Sequence, residues 1–426
     1  MERKNDIMLL EFTVGNYRSF NKKCTLSLYA QSIGDDPKTN VIEKEGVKIL
    51  KTAAIYGANS SGKSNLILAL GTMGRCVLSS VKLNDDDELD YDPFLLSDVQ
   101  GKPTFFEILF LLDSVCYRYG FEYNLNKIIG EWLFIREGKR KEKVLFIRDI
   151  DGIGVNETFF IEGIDNEKNT NDNRLFLSLC AQLGGEISKK VIDWFRRGYN
   201  VLSGLESDGY QGFSKFMFHK HKEGCEEALE FFHTLGLGFE NLETLEEDAI
   251  VPKDLPLELR TFLSKQITGK KTISLQAIHH KYNKNGKIVG DEKFDVEEKE
   301  SAGTKKLIDL AGPIFDTLKR GATLVVDELD AKMHPLISTH IIRLFNSNQF
   351  NPHGAQLIFS THDTHLLSSK IFRRDQIWFT EKDQQEQTDL YSIMDIVLPD
   401  GTKPRNDSNY EKNYINGRYG AIPYIN

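Results

Sequence analysis

The octapeptide GANSSGKS, Gly57 to Ser64, concentrates the phosphate chemistry of the chain. Its spacing is G-x-x-x-x-G-K-[ST]: glycines that free the backbone to curl, then a lysine and a hydroxyl. Such a loop wraps phosphate oxygens with main-chain N–H groups, and the helix that begins on it adds positive potential. Gly57, Ala58, Asn59, Ser60, Ser61 and Gly62 would form the cradle, with Asn65 just beyond it. Lys63 would pair with the β- and γ-phosphates of ATP, and the Ser64 hydroxyl would ligate Mg²⁺.

A magnesium ion held only by a hydroxyl and phosphates needs a carboxylate. The stretch TLVVDE supplies one: Leu324, Val325 and Val326 read as a buried strand, Asp327 at its end would enter the metal shell, and Glu328 would polarise the attacking water. A third stretch, ESAGTKKL from Glu300 to Leu307, opens a helix with a serine and a close-packing glycine. Such a turn also favours an anion, yet the first loop already holds the γ-phosphate from its own side. Ser301 and Gly303 are therefore best used on a nucleotide held by another copy of the chain. Two copies facing head to tail would bury two ATP molecules, with closure dependent on the γ-phosphate and its Mg²⁺ and released by hydrolysis.

The elements that must carry these groups follow from periodicity. LLEFTVGNYRSF and CTLSLYA alternate as strands, TAAIYG is a buried strand leading into the loop, and KSNLILALGTMGRCVLSS is a helix with Leu66, Leu70 and Met73 on one face. The runs TFFEILFLLD, VCYRYGFEYN, KIIGEWLFIRE and KVLFIRD predict an antiparallel meander. From about Arg174 the period changes to 3.6, predicting a helical insertion that extends to about Thr268. KTISLQAIHHKY and IVGDEKFDV are strands joined across Asn285-Gly286. Then come a helix interrupted at Gly312-Pro313, the TLVVDE strand, another helix, the strand AQLIFSTHD and two late strands. Lys63 and Asp327 are much farther apart than a compact P-loop domain requires, so the meander and the helical stretch are insertions.

Composition narrows the classes. Hydrophobic residues make up 40% of the chain, enough to fill real cores. No apolar run reaches the ~20 residues of a membrane span, and the charged start has no secretory pattern, so the protein is expected to be cytoplasmic. The five cysteines are scattered without a CxxC pair. A net charge of −9 provides no global field for nucleic acid, and REGKRKEK, HKHK and KQITGKK read as solvated turns. The acidic run from Asn84 to Asp92 reads as an exposed loop.

In order, ESAGT, VVDE and the STHD stretch that carries His362 resemble the ABC-type ATPases of the SMC, RecF and OLD group. The resemblance implies an α/β fold: an ABC-type P-loop head with an antiparallel β subdomain and an inserted helical lobe, divided as residues 1–170, 171–270 and 271–426. It makes Ser301 and Gly303 the signature, with Thr304 replacing the usual Gln or Glu. Asp330 falls in the D-loop region LDAKMHP, and His362 becomes the switch histidine. Arg18 in NYRSF corresponds to a basic residue that approaches the nucleotide. Gln100 lies where a Q-loop glutamine is sought, and the His334-Pro335 pair is similar to one found after the Asp-Glu strand in the group.

The insertion is short and has no Cys-x-x-Cys hook, and the residues after His362 are too few for an OLD-type nuclease domain. The chain more closely resembles compact ATPases of bacterial antiphage and abortive-infection modules, RloA/AbiL-like, usually encoded beside an RloB-like nuclease. PFLLS, RRDQIWFTEKD and the tail NGRYGAIPYI add to that similarity. The resemblance implies Mg²⁺-dependent ATP hydrolysis, homo-oligomerisation and a partner effector. The reading from another class is a RecF-like DNA-binding repair ATPase, and a third is a switch with negligible turnover.

Overall fold

The computed structural model describes residues 7–35, 37–99, 101–203, 207–248 and 271–423. The chain first runs through β1 (Ile7–Gly15), β2 (Cys24–Ser27), a hairpin of β3 (Val41–Lys44) and β4 (Val47–Leu50), β5 (Thr52–Tyr56) and α1 (Lys63–Ser79). The meander follows: β6 (Thr104–Leu112), β7 (Val115–Tyr123), β8 (Ile128–Glu137), β9 (Lys143–Asp149) and β10 (Gly152–Val155). Next come α2 (Phe176–Gln182), α3 (Glu186–Arg197), β11 (Tyr199–Leu202), α4 (Ser207–His219), α5 (Cys225–Leu235), β12 (Asn241–Asp248), β13 (Lys271–Tyr282), β14 (Ile288–Asp295), α6 (Val296–Lys299) and α7 (Ala302–Arg320). The chain ends with β15 (Thr323–Val326), α8 (Pro335–Asn346), β16 (Gln356–Ser360), β17 (Ile377–Lys382), β18 (Thr388–Ser392) and α9 (Tyr410–Ile415).

These elements form two compact units. One comprises Met1–Leu205, Arg320–Ala331 and Ser338–Asn426; the other comprises Glu206–Lys319 and Lys332–Ile337.

In the first unit a six-stranded sheet has the order β11-β15-β16-β5-β17-β18, parallel except for β18. β5, β15 and β16 are buried at every position, as a parallel sheet covered on both faces requires. A seven-stranded antiparallel sheet, β10-β9-β8-β7-β6-β1-β2, contains the expected meander. Between them α1 buries Leu66, Ile67, Leu70, Met73 and Val77. Trp194 of α3 stacks on Phe110 of β6, with ring centroids 3.9 Å apart. In the second unit, β12-β13-β14 form an antiparallel sheet beside α4.

Three expectations are corrected. The region from Arg174 is not wholly helical, because Tyr199–Leu202 pairs in parallel with β15 and Asn241–Asp248 pairs with β13. Both strands are too short or too polar to announce themselves by period. Residues 249–268 of that stretch, and the KQITGKK cluster before Lys271, lie outside the described residues, as does Gln100.

The helix is also unbroken at Gly312-Pro313. Pro313 has no N–H for the carbonyl of Asp309, four residues back. The Ser214 hydroxyl donates to that carbonyl instead, and the same oxygen accepts the Gly312 N–H at 3.0 Å. One external hydroxyl thus completes the ladder where proline opens it.

The third correction concerns apolar length: Lys63–Lys82 is long and apolar enough to cross a membrane by composition. Its apolar face is instead spent on the core of the first unit.

Candidate nucleotide site

The parallel sheet brings distant residues together at the carboxyl ends of three adjacent strands. Val326 of β15 pairs with Phe359 of β16, and Ser360 of β16 pairs with Ile55 of β5. Asp327, His362 and the loop at Gly57 therefore leave the sheet side by side. This edge is where ligands bind in open α/β sheets.

The loop is held tightly from below. Lys63 is only 5% exposed, and its ammonium donates to the carbonyls of Gly57 at 2.8 Å and Ala58 at 2.9 Å. Burial pulls its amine down to about 8, against the opposing pull of Asp327, Glu328 and Asp330. Gly62 has φ +112°, and a Cβ there would collide with the Thr388 side chain of β18. Thr388 donates its hydroxyl to the Ser61 carbonyl at 2.9 Å, while the Ser61 hydroxyl lies 2.7 Å from that of Thr380 on β17. The two strands after the histidine turn are thus the seat of the loop.

NYRSF reaches the loop through its serine. The Ser19 hydroxyl accepts from Asn65 at 2.8 Å and lies 2.8 Å from the Thr388 hydroxyl, and the Ser19 carbonyl accepts the Thr388 N–H at 2.7 Å. Arg18 takes a backbone φ of 48° and forms a 2.7 Å ion pair with Asp92 at the end of the acidic loop. Arg18 therefore anchors that loop, and its neighbour braces the phosphate cradle.

Ser360 organises the Asp-Glu turn. Its hydroxyl donates to Asp327 Oδ1 at 2.5 Å and accepts the Glu328 N–H at 2.7 Å. Glu328 sits at φ 51°, with its side chain at the surface. The His362 N–H donates to Asp330 Oδ2 at 3.3 Å, while Asp330 Oδ1 is buried without a hydrogen-bond partner among the described residues. Partial burial and the nearby Lys63 ammonium hold the His362 imidazole below its usual value, with Asp330, Glu328 and Asp327 opposing them.

In the second unit, Ser301 caps α7. Its hydroxyl accepts the Thr304 N–H at 3.1 Å, leaving the serine and Gly303 at the helix start. A Cβ on Gly303 would lie 2.7 Å from the Lys332 carbonyl, so glycine permits the helix to meet the segment after the Asp-Glu turn. His334 caps α8 through Nδ1, which accepts the Leu336 N–H at 3.2 Å. In the HKHK stretch, His219 pairs with Glu246 at 3.0 Å, and no cluster suited to a metal by histidine, cysteine and carboxylates alone occurs among the described residues.

The donor set fits a nucleoside triphosphate with Mg²⁺. It offers an ammonium, the Ser64 hydroxyl, an Asp327 carboxylate aimed by Ser360, and an Asp330 oxygen that still lacks a donor. Ser19, Ser360, Thr380 and Thr388 were not singled out from sequence. Ser19, Ser360 and Thr380 stand inside NYRSF, AQLIFSTHD and RRDQIWFTEKD, whereas Thr388 bonds to the loop from across the sheet and leaves no local signal.

The model of the family described as "AAA domain, putative AbiEii toxin, Type IV TA system" matches residues 53–368, from β5 to the turn after His362. No curated protein matches the sequence. Similar solved structures include the SMC head domain from Thermotoga maritima, 14% identical over 90% of this chain and 98% of that one, with a TM-score of 0.42. An SMC head bound to the C-winged helix domain of ScpA is 14% identical over 90% and 97%, with a TM-score of 0.43. The recombination mediator RecF with ATPrS is 13% identical over 92% and 100%, with a TM-score of 0.39.

Proposed function

The chain belongs to this AAA family of ATPases, and from that premise we propose that ATP binding joins two copies and that hydrolysis separates them. The observation that carries the reading is the convergence of Lys63, Asp327, Glu328, Asp330 and His362 at one sheet edge. Lys63 and the loop amides would hold the β- and γ-phosphates. Ser64 and Asp327 would hold Mg²⁺, whose charge offsets that developing on the phosphate oxygens. Glu328 would accept a proton from the attacking water, and His362 would orient toward the γ-phosphate from the next strand. Ser301 and Gly303 would complete the site of a second copy from the start of α7.

The setting proposed is the cytosol of a bacterial cell, where the ATPase is RloA/AbiL-like and its ATP-dependent dimer holds or licenses an effector, most simply a nuclease encoded beside it. The purified protein is expected to hydrolyse ATP with Mg²⁺, and Glu328→Gln to slow turnover by about 10²-fold or more while retaining ATP binding. Wild-type turnover in Glu328→Gln would remove that residue from the mechanism. Co-purification with the neighbouring nuclease tests the effector model. ATP-dependent, salt-sensitive DNA binding without such a partner would favour the RecF-like reading instead.

A further inference from the structure

The tail NGRYGAIPYI and the helix before it lie outside the residues that the ATPase chemistry names, yet they meet it twice. Glu411, in the first turn of α9, uses one oxygen on the turn that follows His362. Its Oε1 accepts the Thr364 hydroxyl at 3.2 Å and lies 2.9 Å from His365 Nδ1. The same turn is also held by Asp363 Oδ1, which accepts the His365 N–H at 3.0 Å, and by the His362 N–H, which reaches Asp330 after β15 at 3.3 Å. Glu411 adds a tie from this turn to α9.

One helical turn later, Tyr414 packs on the strand that leads into the phosphate loop. Its ring lies 5.5 Å from Phe379 and 6.1 Å from Tyr56, the residue before Gly57. The Tyr414 hydroxyl donates to the Ala421 carbonyl at 3.0 Å, and Tyr391 donates to the Tyr419 carbonyl at 2.9 Å, so the tail is fixed on the same support. Ala421 to Pro423 then form one wall of a cavity of about 330 Å³ whose other walls include Ala58 to Ser61. A six-residue helix thus spans from the histidine turn to the phosphate loop.

Resting on the ATPase reading above, the geometry points to Glu411 as a positioning residue for His362, which makes the C-terminal segment part of the hydrolytic apparatus. Glu411 touches no phosphate in this account. It fixes the turn two residues downstream of the histidine, so its loss lets the imidazole drift from the γ-phosphate while the cradle stays intact. A misplacement of about 1 Å at a reacting centre can cost about 10²-fold in rate.

The test is steady-state ATP hydrolysis by the full chain, with nucleotide affinity measured separately. Glu411→Ala is expected to lower kcat by about 10- to 100-fold while KM and the nucleotide Kd change less than about twofold. Glu411→Gln keeps an acceptor oxygen and is expected to stay within about threefold of wild type. If Glu411→Ala does not fold, Thr364→Val with His365→Ala removes the same bonds from the other side and is expected to give the same kcat loss. An active wild type matched by these variants, a KM rise equal to the kcat loss, or equal losses in Gln and Ala would overturn the positioning role alone. A folded wild type with no turnover would overturn the ATPase reading and leave no reaction for Glu411 to serve.

Discussion

Ser360 shows how much of the site rests on one hydroxyl. It donates to Asp327 and accepts from Glu328, so it sets both the direction of the expected metal ligand and the unusual backbone of the expected base. Ser360→Ala is expected to raise the Mg²⁺ concentration required for half-maximal hydrolysis by about tenfold, the usual range for groups that orient a metal ligand. Binding of nucleotide without metal should be unchanged. Equal loss with and without metal would show that the serine merely supports the fold.

Asp35 makes the complementary case, a charged residue whose work is structural. Arg374 grips it with two hydrogen bonds of 2.8 Å, and Arg373 pairs with Asp375 beside it. Burial raises the Asp35 pKa, but the bonds and charges of Arg374 and Arg373 outweigh it and hold the group below its ordinary 3.8. The carboxylate therefore contributes stability above pH 3.8, and that contribution fades as pH falls through its lower folded value. Asp35→Asn is expected to cost about 2–4 kcal/mol at neutral pH and to flatten the acid arm of a denaturation series. An unchanged acid arm would contradict the assignment. The distinctive RRDQ stretch is thus explained by packing, with no catalytic role required.

Among the elements, α7 makes the sharpest prediction. Ser214→Ala leaves the Asp309 carbonyl without its donor and is expected to cost about 1–2 kcal/mol in chemical denaturation. Adding Pro313→Ala restores a backbone N–H for that carbonyl, so the double variant should recover part of the loss. Simple additivity would contradict the repair. The same helix shows the limit of reading elements from sequence: Gly312-Pro313 looks like a break because the repairing serine is far away in the chain. β5, β15 and β16 were legible because continuous burial forces a continuous apolar run, and the loop was legible because its chemistry is local. β11 and β12 were not, since their strand character comes from the partners they find. Ser301 and Gly303 were legible as a helix start, but the close approach of Gly303 to Lys332 depends on tertiary structure.

For the molecule as a whole, the strands after His362 carry the phosphate loop, and the C-terminal helix ties that loop's strand to the histidine turn. The residues proposed to hold ATP are therefore structurally linked to α9 and the tail after it. What a single copy lacks in this account is the Ser301 turn of another. The most direct measurement is the solution mass of Glu328→Gln with and without ATP and Mg²⁺, beside the same protein carrying Ser301→Arg. The account predicts that ATP doubles the mass of Glu328→Gln and that adding Ser301→Arg abolishes the doubling while nucleotide still binds. An ATP-induced assembly that survives Ser301→Arg, or no assembly at all in the ATP-bound Glu328→Gln protein, would contradict it.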